Sequence, residues 1–180
     1  MRKLKEETEK RNLIYKGKAV DFYADTVILP NKKTAIREYI KHPGAVSVVP
    51  FLDRKRIILI RQYRYPVKKI LLELPAGKIN KGESPLRSIK RELEEETGYK
   101  AKNWKKIFTY YPSCAFSTEA LHIYMAWNLI FTGKNPDEDE FIERVIIDYK
   151  TALKLVEEGK ILDSKTVIGL LICQKFLKLL

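Results

Sequence analysis

Two glutamates, Glu92 and Glu96, stand four residues apart in the run Lys90-Arg91-Glu92-Leu93-Glu94-Glu95-Glu96. A helix turning about 100° per residue brings such side chains within about 40° of each other. Neighbouring charges find intrahelical partners at spacing three or four: Lys90 with Glu94, and Arg91 with Glu94 and Glu95. Within the helix, Glu92 and Glu96 have no basic partner at that spacing. A like-charge pair so placed costs roughly a few tenths of a kcal/mol, and more beside a low-dielectric core, unless a cation sits between the carboxylates. A hard divalent ion such as Mg²⁺ takes oxygen ligands, keeps several waters and shares its shell with phosphate oxygens. That is the chemistry this pair could support. The competing reading is that an acidic run on a helix is usually a solvated face.

The elements that must position the pair can be read around it. Ser84 followed by Pro85 is a helix start, because a hydroxyl can cap orphan N–H groups and Pro needs no donor there; Gly98 is a stop. Leu86, Ile89 and Leu93 fall on one stripe and predict that this helix lies on a core. Glu92 and Glu96 flank that stripe, at edge positions neither buried nor freely solvated. A glycine turn at Pro75, Ala76 and Gly77 brings backbone carbonyls near the helix.

Gly77 to Tyr99 reads GKINKGESPLRSIKRELEEETGY, and the placing of Gly77, Glu83 and Arg91 to Tyr99 resembles the Nudix box with every motif position filled. The resemblance implies a loop–helix–loop carrying metal ions that activate hydrolysis of a nucleoside diphosphate linked to another group. Carried over by position, Glu92 and Glu96 become the principal metal ligands, with Glu95 in the site and the Ala76 carbonyl as a further ligand. Glu83 and Arg91 are expected to pair and hold the loop to the helix, while Gly77 and Gly98 are structural. RQYRYP followed by ELPAGK (Glu73 to Lys78), and REYIKHPGAV, are similar to ADP-ribose pyrophosphatases of that family. By that likeness Arg64 binds a diphosphate oxygen, and Arg37 and Glu73 contribute to the substrate site. Guanidinium suits the task, because its planar fork of donors matches phosphate. The subfamily's Ser-Pro-Gly loop is represented by Ser113 with Cys114 and Ala115 in place of Pro and Gly, and by Glu119 soon after. Related enzymes also place a catalytic glutamate in an acidic loop at about the position of GKNPDEDE, which makes Glu138 and Glu140 candidates.

The 180 residues suffice for one domain with a substantial core. Lys and Arg number 35 against 23 acidic residues, a net charge of +12 that suits polyanions and nucleotide substrates alike. Without an Arg-Gly repeat, basic tail or low-complexity tract, nucleic acid is not the expected partner. The N-terminus MRKLKEETEKR has no apolar core of signal-peptide length and no window is long enough to span a membrane, so a cytoplasmic, soluble protein is expected. Cys114 and Cys173 have no zinc or CxxC spacing and read as free thiols of the small, buried kind.

From Asn12 to Ile40 the pattern is that of strands, with alternation at Leu13 and Tyr15 and at Val27 and Leu29 predicting one buried face. AVSVVPFL, RIILIRQYRYP, WKKIFTYYPS, EALHIYMAWNLIF and FIERVIIDY read as further strands. Helices follow from Lys150 to Glu158 and from Ser164 to Leu180, the second capped by Asp163 or Ser164 and apolar at Val167, Leu170, Leu171 and Leu177. His42, beside Pro43, and His122, among apolar neighbours, read as structural.

The expected fold is α+β of the Nudix type: a mixed sheet sandwiched between helices, with an antiparallel strand meander at residues 1–43 and the hydrolase domain at 44–180. By resemblance the meander pairs two protomers in a homodimer. The expected activity is Mg²⁺-dependent hydrolysis of ADP-ribose to AMP and ribose 5-phosphate, with Mn²⁺ as an alternative ion. The other readings are the same chemistry on a nucleotide sugar or dinucleoside polyphosphate, and a non-catalytic nucleotide- or RNA-binding module.

Overall fold

The computed structural model describes residues 4–133 and 141–180. The chain divides into two compact units, Met1–Gly44 with Tyr111–Ala120, and Ala45–Tyr110 with Leu121–Leu180. The segment Tyr111–Ala120 therefore groups with the first unit, although the expected division near residue 43 leaves it in the second. No helix among the described residues is long and apolar enough to cross a membrane.

In the first unit β3 (Asp21–Ile28) is central. Along one edge it pairs antiparallel with β1 (Glu7–Lys10) and β2 (Leu13–Lys16), and along the other with β4 (Thr34–Lys41). The strand Glu7–Lys10, sequence ETEK, carries no apolar pattern and was legible only through its pairing with β3. Asp25, almost fully buried, explains why this sheet tolerates a carboxylate: it accepts hydrogen bonds from the Asn12 N–H and the Tyr39 hydroxyl, both at 3.0 Å. Tyr39 stacks on Tyr23 across the same strand pair. One expectation fails: Leu13 and Tyr15 are 45% and 66% exposed, because nothing among the described residues covers that strand. His42 is structural, its Nδ1 accepting the Gly44 N–H at 3.1 Å.

The second unit holds two sheets. The first has the order β8 (Ala76–Lys78), β5 (Ala45–Pro50), β10 (Leu121–Phe131), β9 (Tyr99–Tyr110), with β5 and β10 parallel and the other pairs antiparallel. The second is antiparallel, in the order β11 (Ile142–Asp148), β6 (Arg56–Arg64), β7 (Lys69–Glu73). Strand alternation sends β5 and β10 residues to opposite faces. Val46, Val48, Tyr124 and Ala126 meet Ile89 and Leu93 of α1 (Pro85–Thr97) on one face. Ala45, Val49, Ile123 and Met125 face a larger core shared with Ile57 and Leu59 of β6, Ala152 of α2 (Tyr149–Glu157), and Leu170 and Cys173 of α3 (Ser164–Cys173). Both faces of the mixed sheet are thus covered, which is why its central strands read as continuous apolar runs. Fully burying an Ile or Leu contributes about 1.5–3 kcal/mol, so Ile89 and Leu93 alone hold α1 firmly to the sheet.

The helices differ from expectation in detail. Leu86 is 39% exposed, one turn before the sheet contact that buries Ile89 and Leu93. The C-terminal helix ends at Cys173 and continues as a 3₁₀ segment to Leu179, while Leu171 points outward at 45% exposure. Cys173 is buried and desolvation pushes its thiol up to about 12, whereas Cys114 is exposed, contrary to the buried thiol expected. His122 lies mid-strand with Nδ1 2.9 Å from the Thr109 hydroxyl, and burial lowers its pKa, which suits a structural role.

Candidate active site

Helix α1 forms where the sequence says it should. Ser84 Oγ accepts the Arg87 N–H at 3.3 Å, Pro85 opens the first turn, and Gly98 closes the helix at φ 73° in the left-handed region glycine favours. Beside it β8 is pinned from two sides. Its register against β5 sets Gly77 opposite Val46, and the Pro75 carbonyl accepts both the Val48 N–H at 3.0 Å and the Ser47 hydroxyl at 3.1 Å. From the helix side, Glu96 Oε2 accepts the Ala76 N–H at 2.8 Å and the Ser88 hydroxyl donates to the Lys78 carbonyl at 3.1 Å. A Cβ at Gly77 would lie 2.0 Å from the Glu92 carboxyl carbon, so only glycine lets the strand approach that carboxylate so closely.

The expectation that Glu92 and Glu96 are edge residues without a basic neighbour does not hold. They are 9% and 4% exposed, because β8 closes over them, and Glu92 Oε1 lies 2.9 Å from Arg91 Nη2. The helical wheel weighed only spacings of three and four, whereas the Arg91 side chain curls back to its sequence neighbour. Arg91 also bonds Glu95 at 2.8 Å and Glu83 at 3.3 Å, so the loop-to-helix pair is present. Glu94 pairs with Lys100 at 3.2 Å, where Lys90 and Arg91 were expected. Burial works against the Arg91 charge, yet the hydrogen bonds to Glu83 and Glu95 and the charge of Glu92 outweigh it and raise the guanidinium pKa. Glu83, in turn, is held below the ordinary carboxylate value: burial raises it, but Arg91 lowers it more. One guanidinium thus faces Glu83, Glu92 and Glu95, with Glu96 close by on the same helix. The donors are carboxylate oxygens, the ligands a hard divalent cation prefers. Among the described residues no three acidic, histidine or cysteine side chains converge as a finished ion cage.

A second charged cluster lies at the end of β6. Glu73 is fully buried and receives Arg64 in a two-pronged bond, Nε to Oε1 at 2.8 Å and Nη2 to Oε2 at 2.7 Å. The Lys165 ammonium also bonds Glu73 Oε2, and it bonds Asp163 Oδ1 at 2.9 Å. Asp163, the N-cap of α3, uses its other oxygen to accept the Thr166 N–H at 3.0 Å and the Thr166 hydroxyl at 2.6 Å. Burial works to raise the Glu73 pKa; the Arg64 hydrogen bonds and the Lys165 charge hold it below the ordinary value. Arg64, bonded to Glu73, is raised correspondingly. Arg61, on the opposite face of β6, pairs with Glu143 at 2.9 Å instead. Reasoning from sequence missed Asp163, Lys165 and Thr166 as site residues. The available signal was a lysine in the first turn of a helix, where a cation opposes the dipole and needs a reason to be there.

Two further candidates, Arg37 and Glu119, belong to the first unit. Arg37 is on β4, its Nε 2.9 Å from Glu6, and Glu119 has its N–H on the Ser117 hydroxyl at 3.1 Å. Glu138 and Glu140 lie outside the described residues.

The NUDIX domain model matches residues 41–165. The chain belongs to the NUDIX family. An ADP-ribose pyrophosphatase of Bacillus subtilis (strain 168) is 42% identical over 172 residues, covering 94% of this chain and 93% of the relative. A methanol dehydrogenase activator of Bacillus methanolicus is 40% identical over 166 residues, covering 91% and 90%. The crystal structure of an ADP compounds hydrolase superposes with a TM-score of 0.85 at 22% identity, covering 97% of this chain and 95% of that one, and shows the same fold. The NUDIX match takes in β8, α1 and both charged clusters up to Lys165.

Proposed function

We propose that this chain hydrolyses ADP-ribose to AMP and ribose 5-phosphate, with Mg²⁺, or Mn²⁺ in its place, held by Glu92, Glu95 and Glu96 and the Ala76 carbonyl. The observation that carries the proposal is the pair of buried carboxylates on α1, Glu92 and Glu96, pressed against a strand whose Gly77 admits nothing larger. Kinship to an enzyme named ADP-ribose pyrophosphatase selects the substrate. When bound, the divalent ion polarises the diphosphate and a water molecule. The chain's own part is to fix the geometry. Arg91 and Glu83 hold the loop to α1, and the Ala76 N–H fixes the Glu96 carboxylate. Arg64, with its Nε and Nη2 committed to Glu73, keeps Nη1 for a phosphate oxygen and offsets charge that grows there during attack. The water's proton passes to a carboxylate drawn from the box, from Glu119, or from Glu138 and Glu140, and a Glu→Gln series at those positions identifies it.

We also propose a homodimer formed through the strands of residues 1–43. Leu13, Ile14 and Tyr15 of β2 and Ile36 of β4 are all about half exposed or more, apolar side chains on the two edge strands of this sheet that a second copy would cover. Sedimentation equilibrium at micromolar concentration is expected to give twice the 21.1 kDa chain mass; a single 21.1 kDa species contradicts it. The activity itself is tested by a hydrolysis panel of ADP-ribose, nucleotide sugars, ATP, 8-oxo-dGTP and diadenosine polyphosphates. ADP-ribose is expected to have the highest kcat/KM, and a value no better than the others overturns the substrate.

A further inference from the structure

Lys165 is a costly residue where it stands. It is 9% exposed, in the first turn of α3, with its charge directed against the positive end of the helix. Two carboxylates compensate it, Glu73 and Asp163. The same turn also grips the main chain that leads into the metal-site strand. Thr166 Oγ1 accepts the Leu74 N–H at 2.8 Å, and two residues on, the Ala76 N–H is bound to Glu96. One turn further along α3, a Cβ at Gly169 would come 2.5 Å from Leu74 Cδ1, so a small residue keeps helix and strand this close.

The Arg64 side chain is 39% exposed while the Glu73 carboxylate is wholly covered, so Arg64 alone of the pair reaches the surface. Glu73 fixes the guanidinium plane along its Nε–Nη2 edge. With Arg64 as its only partner, Glu73 would form a neutral pair and draw the guanidinium fully to itself. Lys165 supplies a second cation to the same carboxylate oxygen that Arg64 Nη2 uses. Remove it, and Glu73 and Asp163 set two negative charges against Arg64 alone, in the place where a doubly negative diphosphate has to be received.

We infer that Lys165 is a positioning residue for hydrolysis: by sharing Glu73 it holds Arg64 in plane and leaves the outer edge of that guanidinium charged for the substrate's diphosphate. The inference rests on the reading above in which Arg64 binds diphosphate.

A double-mutant cycle on ADP-ribose hydrolysis tests it, using the wild type, Lys165→Met, Arg64→Ala and the double variant, each checked for folding by circular dichroism and thermal melting. Lys165→Met is expected to lower kcat/KM by about ten- to a hundredfold, the scale of a charge-assisted hydrogen bond. In the Arg64→Ala background the same change is expected to cost less than about threefold, because the group it acts through is gone. Lys165→Arg is expected to restore most of the activity. Equal losses from Lys165→Met in both backgrounds overturn the inference, since a merely structural lysine would be felt in either. Should Lys165→Met fail to fold, Lys165→Gln keeps a donor to Glu73 without the charge, and the same comparison applies. A failure of the underlying reading looks different: Arg64→Ala alone would then leave kcat/KM unchanged, which is visible before any cycle is built.

Discussion

The second unit holds two buried charge clusters of opposite bookkeeping. Around Arg91, one guanidinium faces Glu83, Glu92 and Glu95, with Glu96 beside them. Around Glu73, two cations, Arg64 and Lys165, meet two carboxylates, Glu73 and Asp163. A cluster with balanced charge is complete in itself and can serve as scaffolding. One that gathers several carboxylates around a single guanidinium presents hard oxygen donors of the kind a divalent cation takes. On the function proposed above, the acidic cluster would receive a cation and the balanced one would aim a guanidinium.

The sharpest way to break the comparison is at Glu96. Glu96→Gln keeps an oxygen to accept the Ala76 N–H, so the strand stays attached, while a ligand charge is lost. Metal-dependent kcat is expected to fall by orders of magnitude with little change in melting temperature. A parallel loss of melting temperature and activity would make Glu96 a structural residue instead. Gly77→Ala comes next. Its Cβ must displace the Glu92 carboxylate or push β8 off the sheet, which overpacking of this kind makes costly by about 1–3 kcal/mol. Unfolding in urea measures it, and an unchanged midpoint would mean that the approach of strand to carboxylate is looser than described.

The balanced cluster should respond more gently. Arg64→Lys keeps the charge but loses the fork that holds Glu73, so on the proposed role it should impair kcat/KM less than Arg64→Ala yet measurably, by about 1–3 kcal/mol. Steady-state kinetics on ADP-ribose distinguishes the two, and a change confined to KM would show that Arg64 binds ground state and transition state alike. The smallest effect is on acid stability. Because the folded pKa of Glu73 is depressed, its contribution is complete above the unfolded carboxylate value of about 4.3 and is lost as pH falls through the lower folded value. The gap in urea midpoint between wild type and Glu73→Gln is therefore expected to be constant near neutral pH and to close only on the acid side. A gap that does not shrink in acid contradicts the pairing.

The two clusters also differ in how far the sequence disclosed them. Every device that builds α1 is local: the Ser84 cap, Pro85, the Ile89 and Leu93 stripe, and the Gly98 stop all lie within one helix, so the helix and its carboxylates could be placed beforehand. The closing of β8 over Glu92 and Glu96 could not, since exposure depends on a strand brought in by pairing with β5. Lys165 was illegible for the same reason in stronger form: its partner Glu73 is 92 positions away, and each residue alone has a commonplace local reading. In the first unit, Leu13 and Tyr15 show the converse. Their alternation correctly predicted a strand, but not a buried face, because periodicity reports which side is apolar and not whether this chain covers it.

The central claim is that the acidic cluster on α1 works as a divalent-cation site, and its most direct test is the Mg²⁺ activation curve for ADP-ribose hydrolysis by the wild type and Glu96→Gln. The account predicts that the wild type is inactive in chelator and rises to a plateau with Mg²⁺, while Glu96→Gln stays near baseline throughout. Near wild-type activity of Glu96→Gln at saturating Mg²⁺ would contradict it.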